Sequence, residues 1–412
     1  MGPESEPEFV DKFLCLVYLQ KGLGMAIPNV YSQSLGDSSL SLRGDSLKLT
    51  PGPPARLAAA TFAGMMPQLE ENVSLRPYNT FGLDVQARYF ARFASVEELR
   101  ELLQRPEVQN AEKLILGGGS NLLFTQNFNG VVLKNEIRGL EIIEFVEKLE
   151  TTPTTQVKAG AGESWHGLVE FTLSHNLSGI ENLSLIPGTV GAAPLQNIGA
   201  YGAELRDTFV SLEAVEISTG KLRMFTAQEC GFGYRESVFK RELKNQYVVT
   251  SVTLELHRQA KPNVRYGAIQ DTLAELGVTG EPTPHDVSRA VVHIRRSKLP
   301  DPAQVGNAGS FFKNPELPQA QYEALKAQYP ELPGYPVAEG VKVPAAWLIE
   351  RAGWKGIRRG EGNTHGVHDK QALVLVHLGG ASGAELCTLA YDIIASVREK
   401  FGVELHPEVN IL

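Results

Sequence analysis

The sequence predicts an α+β fold in three units that follow an N-terminal segment of different composition. Three observations support this prediction. Apolar runs of strand type alternate with helical spacing from about residue 84, a Pro-containing stretch (LPDPAQ, residues 299–304) interrupts that pattern, and mostly helical patterns follow it. No internal repeat is visible, which argues against a solenoid or a propeller.

The expected elements follow in chain order. Residues 96–108 have helical spacing, residues 113–124 read as a strand followed by a glycine turn, and residues 130–137 as a further strand. Apolar runs then predict strands at 155–160, 209–217 and 246–256, with a helix near 164–176. In the last unit we expect helices at about 318–328, 343–353 and 381–401, a strand at 372–377 and a terminal strand at 403–412.

The first 68 residues differ from the rest of the chain. They contain the Ser-rich stretch SQSLGDSSLSLRGDS and the Pro-rich stretch TPGPPARLAAA, a composition typical of a segment that buries little apolar surface. Met65 and Met66 stand just before the first regular pattern. We therefore interpret residues 1–68 as a disordered extension, with an internal methionine as a candidate for the natural start.

Composition and charge exclude several classes of protein. The net charge of -8 argues against nucleic acid or an anionic membrane as partner. The three cysteines, Cys15, Cys230 and Cys387, are too few for a disulfide framework or a zinc site. No apolar stretch is long enough for a membrane helix. We expect a cytoplasmic protein without metal, whose anionic ligand would need a local basic pocket.

Two glycine-rich segments are candidates for ligand binding. GGGSN (residues 117–121) follows a strand pattern, where glycines would let backbone amides approach a phosphate, although the spacing is neither a Walker loop nor a GxGxxG fingerprint. IPGTVGAAPLQNIGAYG (residues 186–202) is nearly uncharged and suits neither helix nor strand, which favours a segment that wraps a ligand with its backbone. A tight turn and a buried structural loop remain the alternatives.

Single residues in unusual surroundings supply further candidates. Arg235 in FGYRESVFK lies among aromatic residues, as either a surface residue stacked on a ring or a buried clamp for a carboxylate. HIRRSKLPDP (residues 293–302) indicates either a solvated helix face or a diphosphate site. Ser310 in NAGSFFKNP is a candidate proton donor or a turn residue, without the GxSxG elbow of hydrolases. Nothing internal to the sequence singles out Glu408 in the terminal strand.

Taken in order, these segments resemble the UDP-N-acetylenolpyruvoylglucosamine reductase family. The resemblance runs from about Asn72 to the C-terminus and includes RPYNTFGLD (residues 76–84), both glycine-rich segments, FGYRESVFK, KLPDP, NAGSFFKNP and the final PEV. It implies a vanillyl-alcohol-oxidase-like FAD-binding fold with two FAD-binding subdomains, plus an α+β substrate-binding domain. We then expect subdomain 1 at 69–140 together with the strand 403–412, subdomain 2 at 141–299 and the substrate domain at 300–402.

The same resemblance implies an activity and its cofactors. The chain would reduce UDP-N-acetylglucosamine enolpyruvate to UDP-N-acetylmuramate in peptidoglycan precursor synthesis, with NADPH as co-substrate, and would act as a monomer. FAD would be bound non-covalently, since the glycine-rich segments contain no His or Cys that could tether it. The residues implied to hold FAD are Gly117, Gly118, Gly119, Ser120, Asn121, Ile186, Pro187, Gly188, Thr189, Gly191, Ala192, Asn197, Gly199 and Tyr201.

Catalytic and substrate-binding roles also follow from the resemblance. Arg235 would face the substrate carboxylate, Ser310 would donate the proton, and Glu408 would lie across the site from Ser310. The residues implied to bind the rest of the substrate are Tyr266, Lys298, Asn314, Tyr335, Lys355 and Gln371.

The chain resembles the longer form of the family, in which Tyr266 of YGAIQDTL belongs to a mobile loop, and it departs from the pattern in two places. Asn410 stands where the family often has arginine, which puts a flavin contact at that position in question. The segment between Tyr266 and Lys298 is also longer than expected.

Two other classes of function stay open at this stage. One is a different FAD-linked oxidase of the same fold, and the other is a non-catalytic protein that binds flavin or a nucleotide sugar. Oxidation of NADPH, measured with and without the enolpyruvyl substrate, would discriminate between the three.

Overall fold

A computed structural model describes residues 67–143, 154–258 and 262–412, all of which belong to one unit, Gly64–Leu412. The extension expected at 1–68 therefore lies almost entirely outside the described residues. Among the helices in this part of the chain, none combines the length and the apolar character needed to cross a membrane.

The first sheet carries the first glycine-rich turn. It has the order β1-β2-β5-β3, in which β2, β3 and β5 run parallel and β1 is antiparallel to β2. The turn lies between β3 and β4, at the carboxyl end of β3. The strands of this region are β1 (Glu70–Ser74), β2 (Gln86–Phe93), β3 (Lys113–Leu116), β4 (Leu122–Leu123) and β5 (Phe128–Asn135).

The helical pattern expected at 96–108 forms two helices, α1 (Val96–Leu103) and α2 (Pro106–Gln109), so the prediction of one continuous helix is wrong. Ser95 caps α1, since its hydroxyl accepts a hydrogen bond from the backbone N–H of Glu98. The residue before a proline is forced out of the helical region, and Arg105 accordingly has ψ of 135°. The proline therefore divides the pattern.

The second sheet is antiparallel throughout, in the order β11-β10-β12-β7-β6. Helix α3 begins after its cap, Ser164, and packs Trp165 and Leu168 into the same core as Val252 of the sheet. The strands and helix expected between 155 and 256 are confirmed. The elements are β6 (Leu140–Ile143), β7 (Thr154–Gly160), α3 (Trp165–Ser174), β8 (Gly199–Ala200), β9 (Ala203–Glu204), β10 (Phe209–Glu216), β11 (Leu222–Thr226), α4 (Ala227–Cys230) and β12 (Tyr247–His257).

A pair of helices, α5 (Gly267–Glu275) and α6 (Pro284–Lys298), follows the second sheet. Tyr266, which the resemblance places in a mobile loop, directly precedes α5, and the residues that follow it in YGAIQDTL are helical. Thr283 and Asp286 form a capping box at the start of α6. The pair has its own apolar core, formed by Ile269, Leu273, Val287, Ala290, Val291 and Ile294.

The last region contains a four-stranded antiparallel sheet of order β13-β19-β18-β17 and a small sheet of order β14-β16-β15. Its helices confirm the expected positions near 318–328, 343–353 and 381–401. The elements are β13 (Gly306–Ser310), β14 (Glu316–Leu317), α7 (Gln319–Gln328), β15 (Tyr335–Val337), β16 (Gly340–Lys342), α8 (Ala345–Arg351), β17 (Arg358–Arg359), β18 (His365–Val367), β19 (Val374–His377) and α9 (Gly383–Phe401).

The chain returns to the first glycine-rich turn at its end. The expected terminal strand at 403–412 is wrong in extent, since only β20 (Asn410–Ile411) is a strand, paired in parallel with β4. Pro407 forms an isolated antiparallel bridge with Phe312. The backbone N–H of Glu408 donates to the carbonyl of Phe311 over 2.8 Å. Glu408 is therefore held between β13 and the turn at 117–121.

Candidate active site

A cleft with about 990 Å³ of empty space, open to solvent, lies where the glycine-rich segments, α6 and β13 meet. Both glycine-rich segments contribute, as do Arg235, Ser310 and Glu408. Of the residues implied to hold FAD, those that line the cleft are Ser120, Asn121, Ile186, Pro187, Gly188, Thr189, Ala192 and Gly199.

The turn at 117–121 needs its glycines for close contact between backbones. A Cβ on Gly118 would lie 2.7 Å from the Cα of Gly188, and one on Gly119 would lie 1.9 Å from the carbonyl oxygen of Tyr78. Gly119 also has φ of 65°, in the region that glycine favours. The two glycine-rich segments therefore lie directly against each other, which the sequence analysis did not foresee.

A second, smaller cavity with about 380 Å³ of empty space adjoins the cleft. The two spaces share Thr189 and Ala192 in their linings. The smaller one is mostly apolar, and its lining also contains Ile115, Gly117, Asn135, Ala161, Gly191, Leu195, Tyr247 and Val249. Two adjoining spaces with glycine turns between them suit an extended dinucleotide such as FAD, with its ring system and its adenosine at opposite ends.

The segment at 186–202 is held in shape by polar side chains within it. Asn197 is fully buried, has φ of 42°, and donates from Nδ2 to the carboxylate of Glu204 and to the carbonyl of Gly233, each over 3.0 Å. Tyr201, also at positive φ, packs edge-on against Tyr266 with ring centroids 5.4 Å apart. Asn197 and Tyr201 thus shape the segment, and neither lines the cleft.

Arg235 and Glu408 form a largely buried ion pair in the cleft. The Nε of Arg235 lies 2.9 Å from Oε1 of Glu408, and the two side chains are 20% and 13% exposed. Nη2 of Arg235 donates to the carbonyl of Gly199 over 2.6 Å. Burial raises the pKa of Glu408, whereas Arg235, Lys240 and Lys313 act in the opposite direction. The pair therefore holds a carboxyl group in a poorly solvated place and fixes the plane of the guanidinium.

Ser310 lies at the end of β13, with an exposed side chain on the wall of the cleft. Gly309 precedes it with φ of 68°, and its N–H donates to Oδ1 of Asn307 over 2.9 Å. The next two residues, Phe311 and Phe312, are buried in the core of the last region. A rigid core thus presents one hydroxyl to the cleft that the glycine-rich segments also line.

Asn314 and Tyr234 connect the start of α8 to the cleft, whose lining includes both residues. Oδ1 of Asn314 accepts a hydrogen bond from the backbone N–H of Ala345 over 2.9 Å. Burial raises the pKa of the Tyr234 hydroxyl. The ammonium of Lys342 lies over the ring of Tyr234, 3.5 Å from its centroid. Tyr234 belongs to the FGYRESVFK motif, from which only Arg235 was selected as a candidate site residue.

The other residues implied to bind substrate lie outside the lining of the cleft. Tyr266 and Tyr335 are 49% and 61% exposed. Lys355 is paired with Glu350 over 3.0 Å, and Oε1 of Gln371 accepts from the N–H of Leu373 over 3.4 Å. Lys298, also exposed, is the last residue of α6.

Arg295 lines the cleft, and sequence reasoning placed it in the basic run at 293–302 without giving it a role of its own. Its Nε donates to the carbonyl of Leu185 over 3.2 Å, and its guanidinium lies near the hydroxyl of Tyr201. No carboxylate of the described residues pairs with it, and burial lowers its pKa, with Arg235 adding to the effect. The buried positions Val291 and Ile294 carried a usable signal, because helical spacing places residue 295 on the same side of α6.

Asn410 supports the glycine turn at 117–121 through two hydrogen bonds. Its backbone N–H and its side-chain amide each donate to the carbonyl of Asn121 over 3.1 Å. Asn121 in turn donates from Nδ2 to Gln196 over 3.0 Å and to the carbonyl of Glu408 over 3.3 Å. The departure at residue 410 thus leaves a polar contact with the glycine turn.

Comparison with known proteins identifies the family. The model of the UDP-N-acetylenolpyruvoylglucosamine reductase C-terminal domain matches residues 301–412, and the FAD binding domain model matches residues 87–226. The UDP-N-acetylenolpyruvoylglucosamine reductase of Burkholderia cenocepacia is 48% identical over 351 residues, 83% of this chain and 98% of that protein. The chain belongs to this family.

Two further proteins agree with that assignment. The UDP-N-acetylenolpyruvoylglucosamine reductase of Flavobacterium johnsoniae is 47% identical over 347 residues, 84% of this chain and all of that protein. The crystal structure of the reductase from Thermus caldophilus has a TM-score of 0.55 at 23% identity and covers 84% of this chain and 99% of that one. The prediction of an FAD-binding fold with a separate C-terminal domain is confirmed. The predicted FAD-dependent oxidoreductase with NADPH as reductant is likewise confirmed.

Proposed function

We propose that Arg235, Ser310 and Glu408 are the catalytic residues with which this reductase converts UDP-N-acetylglucosamine enolpyruvate to UDP-N-acetylmuramate. The observation that carries the proposal is their arrangement. An ion-paired arginine and a serine on a rigid β-strand line the same cleft as two glycine-rich segments. No one of these residues would carry the assignment alone.

FAD fits the two adjoining spaces, and when bound it supplies hydride transfer from NADPH to the double bond of the enolpyruvyl group. Negative charge then develops on the substrate and spreads into its carboxylate. Arg235 uses Nε for Glu408 and Nη2 for Gly199, which leaves Nη1 to face that carboxylate. A donor fixed in place before the reaction stabilises such charge without the cost of reorganisation.

Ser310 donates the proton to the carbon that bears the ether oxygen. A serine hydroxyl is a weak acid, so the basicity of the developing enolate and the position of the hydroxyl must carry the step. Gly309 and the buried Phe311 and Phe312 fix that position. Arg295, a cation without a carboxylate partner among the described residues, adds positive charge to the glycine-rich side of the cleft.

The substrate-binding residues, the domain boundaries and the oligomeric state are proposed from the sequence. We propose that Tyr266, Lys298, Asn314, Tyr335, Lys355 and Gln371 hold the nucleotide part of the substrate. Of these, only Asn314 lines the cleft, so binding would require the others to approach it. The three regions would correspond to the expected domain boundaries at about 140 and 299. The acidic net charge and the few cysteines favour a cytoplasmic enzyme without nucleic-acid partners, and the resemblance favours a monomer.

An assay of NADPH oxidation tests the function directly. We expect NADPH consumption to depend on the enolpyruvyl substrate and to yield UDP-N-acetylmuramate in equal amount, as identified by mass spectrometry. Oxidation that requires oxygen and ignores the substrate would indicate a flavin oxidase instead. A protein that binds FAD and substrate without consuming NADPH would be a binding protein, and the proposal would fail.

The mode of flavin attachment gives a separate prediction. Since neither glycine-rich segment contains a His or Cys, we expect a yellow protein that releases all of its FAD on acid precipitation. Absorbance of the supernatant, compared with that of the pellet, measures the released fraction. Flavin that remains on the precipitated chain would show a covalent bond and contradict the proposed site.

A further inference from the structure

Lys134 lies next to the glycine turn, at the carboxyl edge of the first sheet. Parallel pairing places it directly opposite Leu116, the last residue of β3. Its ammonium donates to the carbonyl of Gly117 over 2.7 Å. Open sheets with parallel strands bind their ligands at this edge, beyond the carboxyl ends of the strands.

The hydrogen bond of Lys134 determines the direction of an amide in the turn. In a trans peptide the C=O and the following N–H point in opposite directions, so a carbonyl of Gly117 held by Lys134 turns the N–H of Gly118 away from it. The amides of Gly118, Gly119 and Ser120 donate to no protein acceptor within the described parts of the chain. Successive amides without protein acceptors form a concave binding place for an anion.

The ammonium of Lys134 also forms no direct ion pair with any carboxylate of the described residues. Nearby Arg92 and Arg138 are paired with Glu70 and Glu163, over 3.0 Å and 3.1 Å. Across residues 67–143, 154–258 and 262–412, no carboxylate lies within ion-pair distance of the ammonium of Lys134. Burial lowers the pKa of Lys134. Arg138 and Arg92 also lower this pKa, whereas Glu136 raises it. A half-buried cation in such a place is stabilised by an anionic ligand.

The position of the anion follows from the two cavities. Gly117 and Asn135, the neighbours of Lys134, line the smaller cavity, while Ser120 and Asn121 line the cleft. In a dinucleotide that occupies both spaces, the diphosphate must lie beside the glycine turn between them. We propose that Lys134 orients the glycine turn and supplies positive charge to the diphosphate of FAD. This inference rests on the proposed function and adds a residue that the sequence analysis did not select.

Affinity for flavins of different length tests the proposal. We expect Lys134→Met to bind FAD about 10-fold to 100-fold more weakly than the wild type, the effect of losing a charged hydrogen-bonding partner. Affinity for riboflavin, which has the ring system but no phosphate, should be nearly unchanged. Lys134→Arg should recover part of the affinity for FAD. Fluorescence titration of protein stripped of flavin measures all three, with circular dichroism to verify that the variants are folded.

A matched control is available in the same sheet. Lys113, also half-buried, donates to the carbonyls of Gln109 and Ala111 over 3.0 Å each, at the opposite end of β3 from the turn. Lys113→Met should leave FAD affinity unchanged. An equal loss for FAD and riboflavin in Lys134→Met, or no loss at all, would overturn the proposal. Failure of the wild type to bind FAD would instead overturn the proposed function.

Discussion

Ser310→Ala should leave reduction of the flavin by NADPH near the wild-type rate and slow reoxidation by the enolpyruvyl substrate roughly 10²-fold to 10⁴-fold, the usual range for lost general-acid catalysis. Flavin reduction requires no proton from this hydroxyl, whereas completion of substrate reduction does. The backbone pairing of Ser310 with Val374 does not depend on its side chain, so β13 should persist. Stopped-flow absorbance at the flavin band reports both steps on one sample.

Two further variants test whether the effect of Ser310→Ala comes from the lost proton donor. Ser310→Cys should recover part of the second rate, because a thiol can donate a proton from about the same position. Ser218→Ala removes an exposed hydroxyl from the turn after β10 and should change neither step. If Ser310→Ala slows both half-reactions equally, the residue supports the structure, and the proton comes from elsewhere.

The sequence was sufficient where local physics decides the structure. Apolar spacing located the strands of the second sheet and the helices of the last region, because each element buries one face whose period is visible in the chain. It failed where one local signal overrode the period. Pro106 divided the helix expected at 96–108, and the expected terminal strand pairs only at Pro407, opposite Phe312, and at Asn410–Ile411.

The site was less accessible to sequence reasoning, because it is assembled from residues far apart in the chain. No motif or spacing near Glu408 in the sequence indicates that it belongs to the site. Its position depends on contacts with Phe311 and with Asn121, which lies 287 residues away. Lys298 was selected from the basic run at the end of α6, although Arg295 is the member of that run that reaches the cleft. Helical spacing from the buried Val291 and Ile294 places both residues on the inner side of α6, so the contact of Arg295 with the carbonyl of Leu185 is what distinguishes the two.

Glu408→Gln is the second substitution expected to have a large effect. The amide keeps nearly the same shape but removes the charge that fixes the guanidinium of Arg235 at 2.9 Å. A misplaced or freely rotating arginine no longer meets the developing charge on the substrate. We therefore expect the substrate half-reaction to slow by roughly 10²-fold to 10³-fold, comparable to the loss of a preorganised donor. Flavin content and flavin reduction by NADPH should remain close to the wild type.

The pH dependence distinguishes this role from a purely structural one. Burial raises the pKa of Glu408, so the carboxylate that pairs with Arg235 becomes protonated at a higher pH than an exposed glutamate would. The rate of the substrate half-reaction should accordingly fall as pH decreases through that raised pKa, and Glu408→Gln should lack this acid limb. Glu255→Gln is the matched control, because it removes an exposed carboxylate of β12 and leaves the pair intact. An acid limb that persists unchanged in Glu408→Gln would assign the titration to another group and leave Glu408 without the proposed role.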